Sequence, residues 1–311
     1  MSGYNQEFQK IWTDLLVQYN QAKPCQNPQG FVLGGQPAAG KSQRLNQIFK
    51  QLNGNVLIIN ADEFRRYHPQ FDAIHAKYGD DAPKYTAEFS GQMAERTLNT
   101  ALNERYNVAI EGTFRTADTP LNTLALMKSH GYKTSVYIQT CPKEISWQGT
   151  IKRYNAMIRA GLTPRAVDKQ HHDLVCERLP ENADIVFQSG KADEFQVYSR
   201  SGLIFDGKTA DIPPSEVIRQ ELNRPILEQQ QIDEKLLKQL CQPDFALRKA
   251  ALHDPEISQA LLERTAIHHK CPQTRKAAAA VLQQCGIEIP TSNKPNTVPS
   301  KTVNKDKGIE I

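Results

Sequence analysis

Eight residues constrain the rest of the chain: Gly35-Gln36-Pro37-Ala38-Ala39-Gly40-Lys41-Ser42. They fit the pattern G-x-x-x-x-G-K-[ST], and the flanks fit as well. Phe31-Val32-Leu33 is a short apolar run that reads as a buried strand, and Leu45, Ile48, Phe49 and Leu52 follow at helical spacing. A strand that feeds a glycine-bearing turn at a helix start leaves backbone N–H groups and the positive end of the helix dipole pointing outward. Such a place suits a polyphosphate. Lys41 would reach the β- and γ-phosphates, and the Ser42 hydroxyl would hold Mg²⁺.

Beyond the loop, apolar runs and helical patterns alternate. Val56-Leu57-Ile58-Ile59 is continuous apolar sequence, as expected of a parallel strand covered on both faces, and it ends at Asn60-Ala61-Asp62-Glu63. Residues 84–105 carry Phe89, Met93, Leu98 and Leu102 at helical spacing, and 106–110 read as a third strand running into Glu111-Gly112-Thr113-Phe114-Arg115. A helix over 119–130, a fourth strand over 133–140 and a helix over 142–160 follow. Thr163-Pro164 reads as the start of another helix that runs to Leu179, and 183–188 fits either strand or helix. Residues 195–198 and 203–205 form a hairpin pattern around Ser199-Arg200-Ser201-Gly202.

The expected fold class is α/β, a phosphate-loop protein with a doubly wound, mainly parallel sheet plus a C-terminal helical region. After Pro225 the pattern is helical, with no strand. Segments 243–251 and 272–278 resemble each other, with Arg248 and Arg275 27 residues apart. They are either a repeated helical pair or a chance likeness of alanine-rich helices. We therefore expect a main domain over 1–225, a helical region over 226–288 and a disordered tail over 289–311, where Pro, Thr, Ser, Asn and Lys dominate.

Composition narrows the class. Of 311 residues, 39% are hydrophobic and 23% charged, and the net charge of +4 gives a nucleic-acid partner little support. Residues 1–20 are polar, without the apolar core of a signal peptide, and no run approaches the ~20 apolar residues that span a bilayer. The six cysteines are scattered, with no C-x-x-C pair. They read as reduced thiols in the cytoplasm, not as a disulfide frame or a zinc site.

If the loop holds a triphosphate, transfer of its last phosphoryl group needs a divalent cation, further cations and a base for the attacking hydroxyl. Ligands of open α/β sheets sit at the carboxyl ends of strands, which brings Asp62 beside the loop. Asp62 reads as that base or as the cap of the next helix. Arg153 and Arg165, on helices after the fourth strand, read as the cations, with Lys152 and Arg159 competing and solvated surface arginines as the plain alternative. Glu95, Glu111, Thr113 and Arg115 offer donors and acceptors to a polar substrate; for Glu111 the alternative is a buried pair with an arginine. His171-His172-Asp173 reads as structural, because adjacent helical histidines face different ways. Tyr4, Phe8, Ile11, Trp12, Leu15, Leu16 and Tyr19 share one helix face, packed on its own domain or docking a partner.

Together these residues resemble the zeta toxin family, the kinase halves of epsilon/zeta toxin–antitoxin pairs. The resemblance rests on Leu33-Gly34-Gly35-Gln36-Pro37 leading into Gly40-Lys41-Ser42, on Asn60-Ala61-Asp62 with His68-Pro69, and on Met93-Ala94-Glu95. It continues through Ile110 to Thr116, Gly149 to Tyr154, Pro164-Arg165 to His172-Asp173, and Glu221-Leu222-Asn223-Arg224. It implies a phosphate-loop kinase that uses ATP and Mg²⁺ to phosphorylate the 3′-hydroxyl of the aminosugar of UDP-N-acetylglucosamine, or of a related UDP-sugar, and so blocks peptidoglycan synthesis. It implies Asp62 as the base and Lys41, Arg153 and Arg165 as the phosphate clamp. Gly35, Gln36, Pro37, Ala38, Ala39, Gly40, Lys41 and Ser42 would cradle ATP. Glu95, Glu111, Thr113, Arg115 and Thr123 would contact the sugar nucleotide. It further implies a small helical epsilon-type antitoxin that covers the ATP site and docks partly on the N-terminal helix. The residues by themselves leave open another hydroxylated acceptor, a nucleic-acid end, or a non-catalytic ATP-binding switch. Two departures stand out. Ala38-Ala39 occupies the place of a more usual glycine/serine pair, although alanine takes positive φ poorly. The interval from Arg153 to Arg165 is one residue shorter than the family pattern.

Overall fold

The computed structural model describes residues 4–226, 255–268 and 272–284. Contacts divide the chain into two units, Met1–Arg224 and Pro225–Ile311.

The first helix, α1 (Asn5–Gln18), buries Phe8, Ile11 and Leu15 in the domain's own core, with Tyr4, Trp12 and Tyr19 packed against it. The apolar stripe therefore faces inward, the first of its two readings: burial of this stripe is what attaches the helix. β1 (Gln29–Gly34) follows and is buried over its last five residues, with a strand on either side. That double coverage is why its sequence lacks polar alternation. α2 (Lys41–Gln51) starts directly from the loop and packs Leu45 and Ile48 against Phe31, Leu33 and Tyr137 on one sheet face.

β2 (Leu57–Ile59) is followed by a four-residue helix, α3 (Ala61–Phe64), and a 3₁₀ turn over Arg65–Tyr67. α4 (Phe71–Tyr78) is a helix that the sequence pattern did not single out, and α5 (Ala82–Asn103) is the long helix expected. Then come β3 (Val108–Glu111), α6 (Asp118–Ser129), β4 (Lys133–Gln139) and α7 (Lys143–Arg159). α8 spans Lys169–Gln188, which corrects two expectations. The helix does not start at Thr163-Pro164, because Asp168 supplies the cap: its Oδ1 accepts from the His171 N–H at 2.9 Å. It also continues through Pro180, so 183–188 is helix. Arg165 consequently lies in irregular chain and not on a helix. β5 (Glu194–Ser199) and β6 (Gly202–Asp206) form the expected hairpin, and α9 (Pro214–Leu222) follows it.

The sheet has the order β2-β3-β1-β4-β5-β6, parallel throughout except for the last strand. β1 is central, and Leu33 pairs in register with Glu111 of β3 while Gly34 pairs with Ile138 of β4. The phosphate loop thus emerges between two strand ends that carry polar residues. On the face away from α2, Val32, Ile59, Val136 and Val197 pack with residues of α5, α6, α8 and α9.

In the second unit α10 (Pro255–His268) and α11 (Pro272–Gln284) pack together and bury Leu262, Ala278 and Leu282. Segment 272–278 lies on α11; its look-alike, 243–251, and the tail expected over 289–311 lie outside the described residues. Among the described residues, no helix is long and apolar enough to cross a membrane.

Candidate active site

The loop is held in place by close approach. Gly35 has φ +138°, and a Cβ there would sit 2.0 Å from the Gln139 carbonyl oxygen. Gly40, at φ +108°, turns the chain into α2. Between them Ala38 adopts φ +60°, the left-handed conformation that the Ala38-Ala39 substitution makes costly.

Lys41 opens α2 and is buried. Its Nζ donates to the carbonyls of Gly35 at 2.9 Å and Gln36 at 3.1 Å and lies 3.6 Å from Glu111 Oε1. Burial pushes the Lys41 pKa down; Glu111 opposes this, Arg153 adds to it and Asp62 opposes it again. One ammonium group therefore feels two carboxylates and a guanidinium from three other elements.

Glu111 is not the buried Glu–Arg pair that was the alternative. Its Oε2 accepts from Asn60 Nδ2 at 3.0 Å while its Oε1 faces Lys41. Asn60 joins two strand ends, because its Oδ1 also accepts from the Asp62 N–H at 3.0 Å. That bond makes Asn60 the cap of α3 and rules out the capping role considered for Asp62. Asp62 is on the first turn, with its side chain 57% exposed, and its Oδ1 accepts from Arg65 Nε at 2.9 Å. Arg65 in turn donates to the Pro83 carbonyl and to Thr86 Oγ1 of α5, which fixes it as a brace. Asn60 and Arg65 had gone unassigned. The signals were there: asparagine at a strand-to-helix junction, and an arginine three residues after an acid on a helix.

Arg153 of α7 keeps solvent contact, yet enough protein surrounds its guanidinium to lower its pKa. Arg165 lowers it further, while Asp62, Glu111 and Glu63 pull it back up. Arg165 Nη2 donates to Glu63 Oε1 at 2.7 Å, tying the chain between α7 and α8 to α3. Two guanidinium groups are thus held where their mutual repulsion would be relieved by an anion.

The remaining candidates are more dispersed. Arg115 is exposed and close enough to His171 to lower its pKa, second to burial; Asp168 and Asp62 act in the opposite sense. Thr113 is half-buried past the end of β3. Glu95 is exposed on α5, and Thr123 is buried on α6 with its hydroxyl donating to the Thr119 carbonyl. Neither Glu95 nor Thr123 is hydrogen-bonded or ion-paired to the charged group around Lys41. His172 is fully buried, 2.9 Å from Ser146 Oγ and 3.2 Å from Asp173 Oδ1, and holds α8 to α7.

The donor set suits hard ligands. A cavity of about 250 Å³ is lined by Ser42, Asn46, Asn60, Glu63 and Glu111, among others, so Ser42 and two strand-end residues border one space. Oxygen donors of this kind fit Mg²⁺. The buried ammonium and the glycine-lined loop fit a phosphate chain. Among the described residues no group of three or more His, Cys, Asp or Glu could hold a metal by themselves. Magnesium would therefore share its coordination with phosphate oxygens and water.

Comparison with known proteins agrees with the fold. A profile of the zeta toxin family matches residues 14–210. Toxin zeta of Streptococcus pyogenes is 35% identical over 226 residues, which cover 71% of this chain and 79% of that protein. Toxin PezT of Streptococcus pneumoniae serotype 4 is 32% identical over 226 residues, covering 70% and 88%. A solved structure from the PezAT chromosomal toxin–antitoxin system of Streptococcus pneumoniae superposes with a TM-score of 0.62 at 27% identity, covering 70% of this chain and 87% of that one. Fold, motif order and these likenesses support a kinase of the toxin type, and the chain belongs to the zeta toxin family.

Proposed function

We propose that this chain transfers the γ-phosphoryl group of ATP to the 3′-hydroxyl of the aminosugar of UDP-N-acetylglucosamine, or of a closely related UDP-sugar, and so starves peptidoglycan synthesis. The observation that carries the proposal is the shared field of Lys41, Glu111, Asp62 and Arg153 around the phosphate loop. The Gly35-to-Ser42 segment cradles the phosphates, and Lys41, Arg153 and Arg165 draw charge off the transferring group. Ser42, with Asn60 and Glu111 beside it, would hold Mg²⁺, which when bound would neutralise phosphate oxygens.

The acceptor hydroxyl oxygen attacks the γ-phosphorus, the bond to the bridging β–γ oxygen breaks, and ADP leaves. The hydroxyl proton passes to Asp62. Arg65 holds Asp62 Oδ1 and so leaves Oδ2 to take that proton. Thr113 and Arg115 lie beyond β3 toward the acceptor, and Glu111, Glu95 and Thr123 complete the sugar-nucleotide contacts. The partner is a small helical antitoxin of epsilon type, and both proteins work in the cytoplasm.

The test is a phosphotransfer screen of ATP with a panel of UDP-sugars, read by mass. The expected product is UDP-N-acetylglucosamine carrying one added phosphoryl group, lost in Asp62→Asn. No product with any UDP-sugar would reject the acceptor. Product that persists in Asp62→Asn would reject the base.

A further inference from the structure

Arg200 stands at the tip of the β5–β6 hairpin, outside every motif that carries the family likeness. Its guanidinium reaches the phosphate loop from the side: Nη2 donates to the Ala38 carbonyl at 2.9 Å and Nε to the Ala39 carbonyl at 3.5 Å. These are consecutive carbonyls in the middle of the loop. Because a peptide unit is planar, fixing a carbonyl fixes the direction of the N–H that shares its plane. The two planes held by Arg200 carry the N–H groups of Ala39 and Gly40.

The strain at Ala38 makes this grip consequential. At φ +60° the residue is in a conformation that side chains with a Cβ rarely adopt, so the loop needs an outside restraint. α7 closes the third side. A Cβ at Gly149 would lie 3.1 Å from Ala38 Cβ and 3.8 Å from Arg200 Nη2, so helix, loop and hairpin meet at one corner. The Cβ position of Gly40 is likewise 4.0 Å from Arg200 Cγ.

We propose that Arg200 is a positioning residue for the nucleotide site: from the hairpin tip it holds Ala38 and Ala39 so that the phosphate cradle is formed before ATP arrives. This rests on the reading of the loop as the ATP site. It assigns the β5–β6 hairpin a part in nucleotide affinity, although no motif extends there. Arg200 acts through the loop, and its removal weakens ATP binding more than it slows turnover at saturating ATP.

The experiment uses the full chain and four variants: Arg200→Gln, Arg200→Lys, Ala38→Gly and the double variant Arg200→Gln/Ala38→Gly. ATP affinity is measured by calorimetry, KM and kcat by steady-state assay, and folding by thermal melting. We expect Arg200→Gln to weaken ATP binding about tenfold, or ~1.4 kcal/mol, with kcat changed far less. Arg200→Lys keeps the charge and a donor and loses about threefold. Glycine at position 38 takes positive φ freely, so the double variant recovers most of the affinity, by more than Ala38→Gly changes the wild-type chain. Unchanged affinity in Arg200→Gln would overturn the inference. So would a loss that Ala38→Gly does not recover, or one that falls equally on kcat and KM. A wild-type chain without measurable ATP affinity would overturn the nucleotide reading itself, and this inference with it.

Discussion

Replacing Gly35 by alanine tests the geometry on which the loop depends. The new Cβ would lie 2.0 Å from the Gln139 carbonyl oxygen and 3.0 Å from its carbonyl carbon. Carbon and carbonyl oxygen rest at about 3.3 Å or more, so roughly 1.3 Å must be found between β1 and β4. The obstructing atom is backbone inside a parallel sheet, and no rotamer change can move it. Overpacking of this kind costs about 1–3 kcal/mol. The backbone angle of +138° adds about 1–3 kcal/mol for a residue with a Cβ. The sum, about 2–6 kcal/mol, lowers the melting temperature by roughly 4–24 °C at about 2–4 °C per kcal/mol for a domain of this size. Lys41 also loses its seat, because Nζ donates to the Gly35 carbonyl, so nucleotide affinity falls with stability. Gly91→Ala is the control: it lies inside α5, nothing lies within 4 Å of its Cβ position, and alanine there stabilises by about 0.5–1 kcal/mol. Circular-dichroism melting and titration with a fluorescent ATP analogue read both effects. A Gly35→Ala chain that melts and binds like wild type would refute the packing of β1 on β4 at this point.

Further outcomes are expected. Asp62→Asn lowers kcat by about 100-fold or more with KM little changed, and Arg65→Ala lowers it by about 10- to 100-fold because the carboxylate loses its brace; steady-state kinetics decide both. Arg153→Gln lowers kcat/KM by about 10- to 100-fold through a lost charged hydrogen bond to the transferring group, measured over an ATP series. Chelation of Mg²⁺ abolishes turnover and added magnesium restores it; activity that survives chelation would remove Ser42 from metal binding. For His172, burial lowers the pKa from 6.5 and outweighs the opposing pull of Asp173. The unfolded chain then binds a proton that the native chain refuses, so stability is full above about pH 6.5 and declines as the pH falls below it. Urea unfolding between about pH 5 and pH 7.5 should give a smaller slope in His172→Asn than in wild type, and an unchanged slope would show that His172 is not the group responsible.

Much of this site could be read directly from the sequence, because its principal parts sit at strand ends. Lys41 is placed by the loop, and Asp62 and Glu111 by the ends of β2 and β3, each local in sequence and each marked by an apolar run that stops. The parallel sheet follows from the same alternation, whereas the strand order, and with it the pairing of Leu33 with Glu111, comes only from the structure. What was missed depends on contacts between distant segments. The Arg200 grip spans some 160 positions, and a lone arginine in a hairpin turn carries no local sign of its target. α8 was started too early because Thr163-Pro164 is a good helix opening, while Asp168, a better cap, lies five residues on from Thr163. For the stripe on α1 two coverings stay open in the sequence, its own domain or a partner, because periodicity shows that a face is apolar without showing what covers it. Only the packing of Phe8, Ile11 and Leu15 decides that.

The position of Arg165 outside any helix has a bearing on how sequence changes are absorbed. On a helix, one residue gained or lost swings every later side chain by about 100°. Arg165 instead hangs from unwound chain and is drawn in by Glu63, so a deletion upstream shortens a slack segment without turning the guanidinium away. The place of that guanidinium is thus set by its tether to Glu63, and the spacing along the chain is free to drift.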